Sequence, residues 1–337
     1  MENHSKLNRA DIAKLANVSV AAVSYALSGN RNKQISVETQ ERICRIAKEH
    51  GYIPNFAARV LSTGKNYNIG FACLAAEWLL DPMFQYVQYG LVSSINQTNY
   101  NITSFYNLND KFFQKLRESR LDGLIIFSNH LTPEISRALE LQLPTVLIDL
   151  DYPADAADAH IAGVSSDYPG VIQQVFQEFA AQNCRTVIGL IPLSEACKPN
   201  DILAESFLHE AGHGSDYKLQ ATMLNPMVSD RDGNVGEYAN AIDRILNSKI
   251  KFDGIYLDVF ADFGTMFVER AGECGLLPGR DYHLVMTDTA IKKYPGSVLF
   301  VQDSEQLGRS AWQVMAKLLE GDCPCQNTKV PFRKISE

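Results

Sequence analysis

The stretch DIAKLANVSVAAVSYAL, Asp11 to Leu27, decides how this chain begins. It reads as two short helices with a tight turn between them. Ile12, Leu15 and Ala16 make one apolar face, and Val23, Ala26 and Leu27 make the second. Asn8 with Asp11 three residues on predicts a capped start for the first helix. Asn17 falls at the corner, where its tolerance of left-handed backbone suits a sharp reversal. Ser19 caps the second helix. Two helices joined so briefly form a helix-turn-helix, whose second helix can enter a DNA major groove. A plain helical hairpin in an all-helical domain is the alternative reading.

Working outward, Ser36 starts a third helix with Val37, Ile43, Ile46 and Ala47 on one face and a stop at Gly51. Cys44 is expected in its core. NFAARVLSTGK then forms a short amphipathic segment. The charge is divided. Residues 1–65 hold 10 Lys and Arg against 5 Asp and Glu, whereas the rest holds 21 against 34, inside a net charge of −8. A basic head on an acidic body concentrates phosphate attraction at the groove helix.

After Lys65 the pattern becomes alternating strand and helix. IGFACL, YNITSFY, LDGLIIF and PTVLIDL form a first set of strands; IAGVSSD crosses to a second set holding TVIGLI, LQATML, DGIYLD, YHLVMTD and VLFVQ. Continuous apolar strands indicate burial on both faces and parallel sheets, so the body is doubly wound α/β twice over. At 337 residues the chain exceeds one typical core, and 46% hydrophobic with 21% charged residues excludes a disordered chain. The apolar run Ile69–Leu80 contains Glu77 and is too short to span a bilayer. MENHSKLNR lacks the apolar core of a signal peptide, and seven scattered cysteines suit a reducing compartment. A cytoplasmic protein without membrane contact is expected. No heptad run precedes Glu337, so no coiled-coil tetramer is expected.

DIAKLANVSVAAVS, ISVETQERICRIAKEHGYIPN, and AARVLSTGK ahead of the first strand together resemble the N-terminal region of the lactose/galactose repressor (LacI/GalR) family of bacterial transcription regulators. The resemblance implies an all-α helix-turn-helix head at 1–65, with a hinge helix at about 55–62. It implies an α/β periplasmic-binding-protein-like body at 66–337 made of two doubly wound parallel-sheet subdomains. Chain crossings near Gly163, Asp303 and Gly321 would leave an N-subdomain of about 66–163 plus 303–320 and a C-subdomain of about 164–302 plus 321–337. Val20 and Ala21 would begin the recognition helix and Tyr25 would lie further along it, with Ser19 and Ser24 completing the DNA-facing set. Asn55, Ala58, Arg59 and Leu61 would belong to the hinge helix, Leu61 wedging between base pairs in the minor groove. The implied protein is a homodimeric repressor that binds operator double-stranded DNA and answers to a small effector, a sugar or sugar derivative, in the body cleft.

Two departures bear on the operator. Ala22 stands where the family usually has Thr, removing a hydroxyl-phosphate bond, and Tyr25 stands where it usually has Arg, removing a two-pronged contact to guanine. The operator is therefore expected to differ from the usual family half-site at that base pair.

In open α/β sheets a ligand lies beyond the carboxyl ends of the strands. Polar residues there are Asn129, Asp149, Asp167, Asp258, Asp288, Gln302 and Asp303. Carboxylates facing one cleft suit sugar hydroxyls, with an apolar wall against the ring. Asp167 before Tyr168-Pro169 reads equally well as a helix cap, and Asp149 as a turn residue. The resemblance singles out Asp258 and Asp288 as effector contacts. Phe84, Trp78 and Phe260 could stack on the ligand or belong to the core. Asp258-Val259 replaces the family's Asn-Asp, and Leu203 occupies the place nearest its sugar-binding Arg, so the effector need not be a simple hexose.

His209-Glu-Ala-Gly-His213 spells HExxH, the zinc signature of metallohydrolases. Gly212 and Gly214 weaken the helix this motif needs, and the nearest further ligand, Glu237, is distant in sequence. The expectation is therefore no catalytic metal, no cofactor and no enzyme activity, with a zinc-dependent hydrolase as the alternative. Cys323-Pro-Cys325 is too tightly spaced for a zinc knuckle. The acceptor patterns at Asn96 and Asn101 have no meaning without secretion. No phosphate-binding loop or dinucleotide fingerprint is present.

Overall fold

The computed structural model describes residues 7–27, 35–52, 60, 63–74, 76–152, 159–192, 198–213, 220–224, 235–248, 250–258, 263–288, 294–322 and 327–335. They fall into two compact units, Met1–Asn66 and Tyr67–Glu337.

In the first unit, α1 spans Arg9–Leu15, α2 Val20–Leu27 and α3 Val37–Glu49. Asn8 Oδ1 accepts from the Ala10 and Asp11 amides, and Asp11 Oδ2 accepts from the Asn8 amide at 2.8 Å. This reciprocal cap is worth about 1 kcal/mol. Asn17 takes the left-handed conformation (φ 50) and the chain axis turns by 102° into α2. There Ser19 Oγ accepts from the Ala22 amide at 3.1 Å. The core is small: Ile12, Ala13, Ala16, Val23, Ala26, Ile43 and Ala47. Two expected core positions face outward. Leu15 is half exposed, because Ala13 rather than Leu15 shares the inward row with Ile12 and Ala16. Val37 is exposed as the first residue of α3, before the inward stripe begins. Cys44, expected inside, is also exposed.

In the second unit the order is β1 (Asn68–Cys73), α4 (Pro82–Ile95), β2 (Asn101–Tyr106), α5 (Asp110–Glu118), β3 (Gly123–Phe127), α6 (Pro133–Leu139), β4 (Thr145–Ile148) and β5 (Ile161–Ser166). Then come α7 (Tyr168–Ala181), β6 (Thr186–Leu190), α8 (Lys198–Gly212), β7 (Gln220–Leu224), α9 (Val235–Leu246), β8 (Gly254–Asp258), α10 (Phe263–Glu273), β9 (His283–Asp288) and β10 (Ser297–Val301). The chain closes with α11 (Ser304–Leu319), β11 (Thr328–Val330) and β12 (Arg333–Ile335). One sheet has the order β11-β5-β4-β3-β1-β2 and the other β12-β10-β9-β8-β6-β7. Every pairing is parallel except β10 with β12. β3, β4, β5 and β10 are buried along their whole length, as strands covered on both faces must be.

The crossings between sheets differ from expectation at two of three places. β5 pairs with β4 from Thr145–Ile161 to Ile148–Val164 and with β11 through Ser166, so the first crossing falls at Asp167 rather than Gly163. IAGVSSD therefore ends the first set of strands instead of starting the second. The last crossing follows Val330 rather than Gly321, because Thr328–Val330 stays with the first sheet while Arg333–Ile335 joins the second. The middle crossing runs through Gln302 and Asp303. Two caps mark where helices restart: Asp167 Oδ1 accepts from the Gly170 amide at 3.0 Å and Asp303 Oδ1 from the Gln306 amide at 3.1 Å.

After the middle crossing α11 returns to the first sheet and packs on α4 so closely that backbones touch. A Cβ at Gly308 would stand 2.0 Å from the Val87 carbonyl oxygen, and one at Gly90 the same distance from the Glu305 carbonyl oxygen. Backbone cannot yield as a side-chain tip can, so Gly308→Ala is expected to lower the unfolding free energy by about 1–3 kcal/mol. Gly272→Ala, on α10 with open space around it, is expected to leave it unchanged or raise it by up to about 1 kcal/mol. Urea unfolding of the two variants checks the contrast, and equal effects would contradict it.

Candidate functional site

The first candidate site is the outward face of α2. Val23 and Ala26 are buried, whereas Val20 is 47% and Tyr25 40% exposed, with Ala21 exposed beside them. A helix of eight residues in a small helical core can bury only one stripe, so positions 20, 21 and 25 lie on its exposed side. Ser24 sits half-buried on the same side and its Oγ accepts from Arg9 Nη1 at 3.2 Å. Ser19 is occupied as the α2 cap through its oxygen, leaving its O–H able to donate. Asn55, Ala58, Arg59 and Leu61 lie outside the described residues.

The second candidate site is where the strands of the second unit end. Asp149 follows β4 in left-handed backbone (φ 63) and is buried. Tyr168, the first residue of α7, donates its hydroxyl to Asp149 Oδ1 at 2.8 Å. Gln302, at the end of β10 and also buried, donates from Nε2 to Ser166 Oγ at 2.8 Å and to the Tyr168 hydroxyl at 3.2 Å. This chain of bonds links the end of β4 to two of the three crossings. Asp151 and Lys329 stand beyond it as an ion pair, each bonded to Ser165 Oγ. Burial, reinforced by the negative charge of Asp151, pushes the Asp149 carboxyl up to about 7. The Tyr168 bond, Lys329 and the Ser166 backbone oppose that rise.

At the end of β8, Asp258 Oδ1 accepts from Thr287 Oγ1 at 2.7 Å, and the Thr287 hydroxyl is shared with that of Tyr256 at 2.8 Å. Burial, with the Asp258 charge close by, holds the Tyr256 hydroxyl protonated well above its usual range. After β3, Asn129 is half-buried and its Oδ1 lies 2.8 Å from His130 Nδ1. Asp288 ends β9 opposite Val301, but its side chain lies outside the described residues, as do Val259 and Phe260. Phe84 is not at the site. It is fully buried, stacked on Phe71 at 5.5 Å and edge-on to Phe127 at 5.3 Å, so it is core. Trp78 lies over Phe127 at 4.9 Å and remains partly exposed. Leu203 is buried in α8.

Asp149 and Gln302 are therefore joined. The residues that join them, Tyr168 and Ser166, were not legible as site residues. The only sequence signal was their place at a strand-to-helix junction, since the bonds to Gln302 span more than 130 residues and the one from Tyr168 to Asp149 spans 19.

The HExxH segment closes α8. His213 Nδ1 lies 2.9 Å from the His209 carbonyl, and His209 Nδ1 3.4 Å from the buried Glu210 carboxylate. Among the described residues no group of three or more His, Cys, Asp or Glu could hold a metal ion. Cys323 and Cys325 lie outside them.

Comparison with known proteins agrees with this geometry. Residues 10–55 match the family of bacterial regulatory proteins, lacI family. The HTH-type transcriptional regulator RegA of Clostridium acetobutylicum is 32% identical over 145 residues, 41% of this chain and 42% of that protein. The chain spans about half the length of the curated relatives it matches. In structure it resembles the lac repressor dimer bound to operator and the anti-inducer ONPF (TM-score 0.66, 17% identity, 98% of each chain). It likewise resembles a transcriptional regulator CelR–cellobiose complex (TM-score 0.62, 15% identity, 98% of each chain). The fold is thus that of these proteins: a helical head followed by a periplasmic-binding-protein-like body.

Asp149 makes a pH prediction. Between about pH 4 and 7 the folded protein keeps a proton that the unfolded chain has released, so this group's contribution to stability falls as pH rises, by at most about 1.4 kcal/mol per pH unit. Asp149→Asn is expected to remove that decline. The check is the difference in urea midpoint between wild type and variant from pH 4.5 to 7.5; a pH-independent difference would contradict it.

Proposed function

We propose, from the match of residues 10–55 to the lacI family of bacterial regulatory proteins, that this chain is a member of that family and a homodimeric repressor. It binds operator double-stranded DNA through the outward face of α2 and loosens or tightens on it when a small molecule fills the cleft of the body. The observation that carries this is α2 itself: a helix whose buried stripe lies in the core and whose opposite face, Val20, Ala21 and Tyr25, is exposed, in a head whose residues 1–65 hold twice as many basic as acidic residues. Hinge residues Asn55, Ala58, Arg59 and Leu61 are assigned to the minor groove on the family resemblance alone.

For the effector, the reading is a polar, largely uncharged molecule of the carbohydrate class. Asp149, Asp258, Asn129 and Gln302 all stand at strand ends, where such folds bind ligands, and they offer acceptors and amide donors for hydroxyl groups. The CelR structure holds cellobiose, and a periplasmic binding protein/LacI regulator from Alkaliphilus metalliredigens holds D-xylulofuranose. Asp288 belongs to the same set by the family resemblance. Phe84 does not.

Effector binding acts on the three crossings. Whatever turns one sheet against the other must break or re-form the bonds among Asp149, Tyr168 and Gln302, so a ligand competing for them shifts the balance between two arrangements. The close α4–α11 contact carries any displacement at Asp303 into the first sheet's helices as a rigid pair. The described residues include no single helix long and apolar enough to cross a membrane, and a cytoplasmic location is proposed with the DNA-binding role.

The test uses the full chain. A thermal-shift screen against sugars and sugar derivatives identifies a stabilising ligand, and selection from random duplex DNA identifies the operator. Because coupling is reciprocal, a ligand that changes operator affinity by some factor must have its own affinity changed by the same factor on DNA. Equal ligand affinity with and without saturating operator would remove the switch. Failure to retain any duplex at low salt would remove the function.

A further inference from the structure

α2 carries the exposed face, yet its eight residues, VAAVSYAL, include no Arg, Lys, Asn or Gln. Those are the side chains that read a guanine or adenine edge with two bonds in the major groove. Val20 and Ala21 can touch a thymine methyl, and Tyr25 offers one hydroxyl at the end of a rigid ring. The helix by itself therefore has no group able to take the O6 and N7 of guanine together.

A guanidinium stands beside it all the same. Arg9, the first residue of α1, reaches across fifteen positions to donate from Nη1 to Ser24 Oγ at 3.2 Å. Ser24 lies one turn along α2 from Val20 and Ala21 and next to Tyr25, so the bond fixes the guanidinium at the border of the open face. A guanidinium has five N–H donors and this bond takes one. Among the described residues no ion pair involves Arg9. Its charge is left for a partner, and its fork is already held by a neutral hydroxyl, which limits the rotamer entropy lost on binding.

We infer that Arg9, positioned by Ser24, is the guanine-reading residue of this head, doing from α1 what the recognition helix cannot do for itself. This rests on the proposed DNA-binding function and names the residue that sets part of its specificity. Arginine is required because a forked, planar donor matches guanine; lysine would supply charge without the fork.

The experiment selects duplexes from a random pool with the wild-type full chain. It then measures affinity for the selected half-site and for each single-base-pair variant at fixed salt, with wild type, Arg9→Ala, Arg9→Lys and Ser24→Ala. Expected is one G·C pair per half-site that wild type prefers by about tenfold or more. Arg9→Ala should lose that preference while keeping the others. Arg9→Lys should keep the salt dependence but lose the same preference. Ser24→Ala should weaken it in part. A phosphate contact or a strut between α1 and α2 predicts something else: uniform weakening over all sequences with every base preference intact. That result would overturn the inference while leaving DNA binding in place, and retention of preference by Arg9→Lys would do so even if Arg9→Ala failed to fold. If wild type enriches no duplex, the DNA-binding reading falls and this inference with it.

Discussion

A carboxyl group held away from water against a phenol governs the second unit. Asp149 is buried, its backbone is left-handed, and its side chain accepts from Tyr168, which is itself bonded to Gln302. Burying an ionised carboxylate is costly, so burial lifts this carboxyl to about 7 against the opposing effect of the Tyr168 bond, Lys329 and the Ser166 backbone. Its partners occupy two of the three strands of chain that join the sheets. In the proposed reading, a movement of one sheet against the other that parts Gln302 from Tyr168 also disturbs the Tyr168–Asp149 bond, and a polar ligand at the strand ends would compete for the same atoms.

The head works by a different economy of size. Seven buried residues make its core, four of them alanines, and three helices can close on so little because each start is capped and the turn at Asn17 is sharp. What a small core leaves over is a large outward surface. On α2 that surface is apolar and aromatic rather than charged, and Arg9 of α1 is bonded to it at Ser24. The proposed recognition is thereby a property of the α1–α2 corner, not of one helix.

Much of this was legible in order. Period-3.6 stripes located the three head helices among the described residues; Asn8, Ser19, Ser36 and Gly51 marked ends that the hydrogen bonds and backbone angles match. Apolar-rich runs located ten strands, most plainly β3, β4, β5 and β10, because a parallel strand buried on both faces announces itself by composition; β2, at a sheet edge, is mostly exposed or half-buried. Thr328–Val330 and Arg333–Ile335 did not, since three-residue edge strands carry too few residues for any pattern. Leu15 and Phe84 show the other limit. Hydrophobicity says that a side chain prefers burial, but not which of two adjacent rows wins, nor whether an aromatic near a strand end lines a cleft or fills the core behind it.

From the order of residues alone came the kind of most elements, the caps, the split between a basic head and an acidic body, and the buried stripe of α2; its outward face was named through the family resemblance. These depend on neighbours within a few positions, where backbone geometry makes sequence spacing equivalent to distance. The places where the chain changes sheets, the joining of Asp149 to Gln302 through Tyr168, the seating of Gly308 on Val87 and the meeting of Arg9 with Ser24 were decided only when the chain had folded. Each is a contact between segments far apart along the chain, and no local propensity specifies which distant partner a polar atom will find.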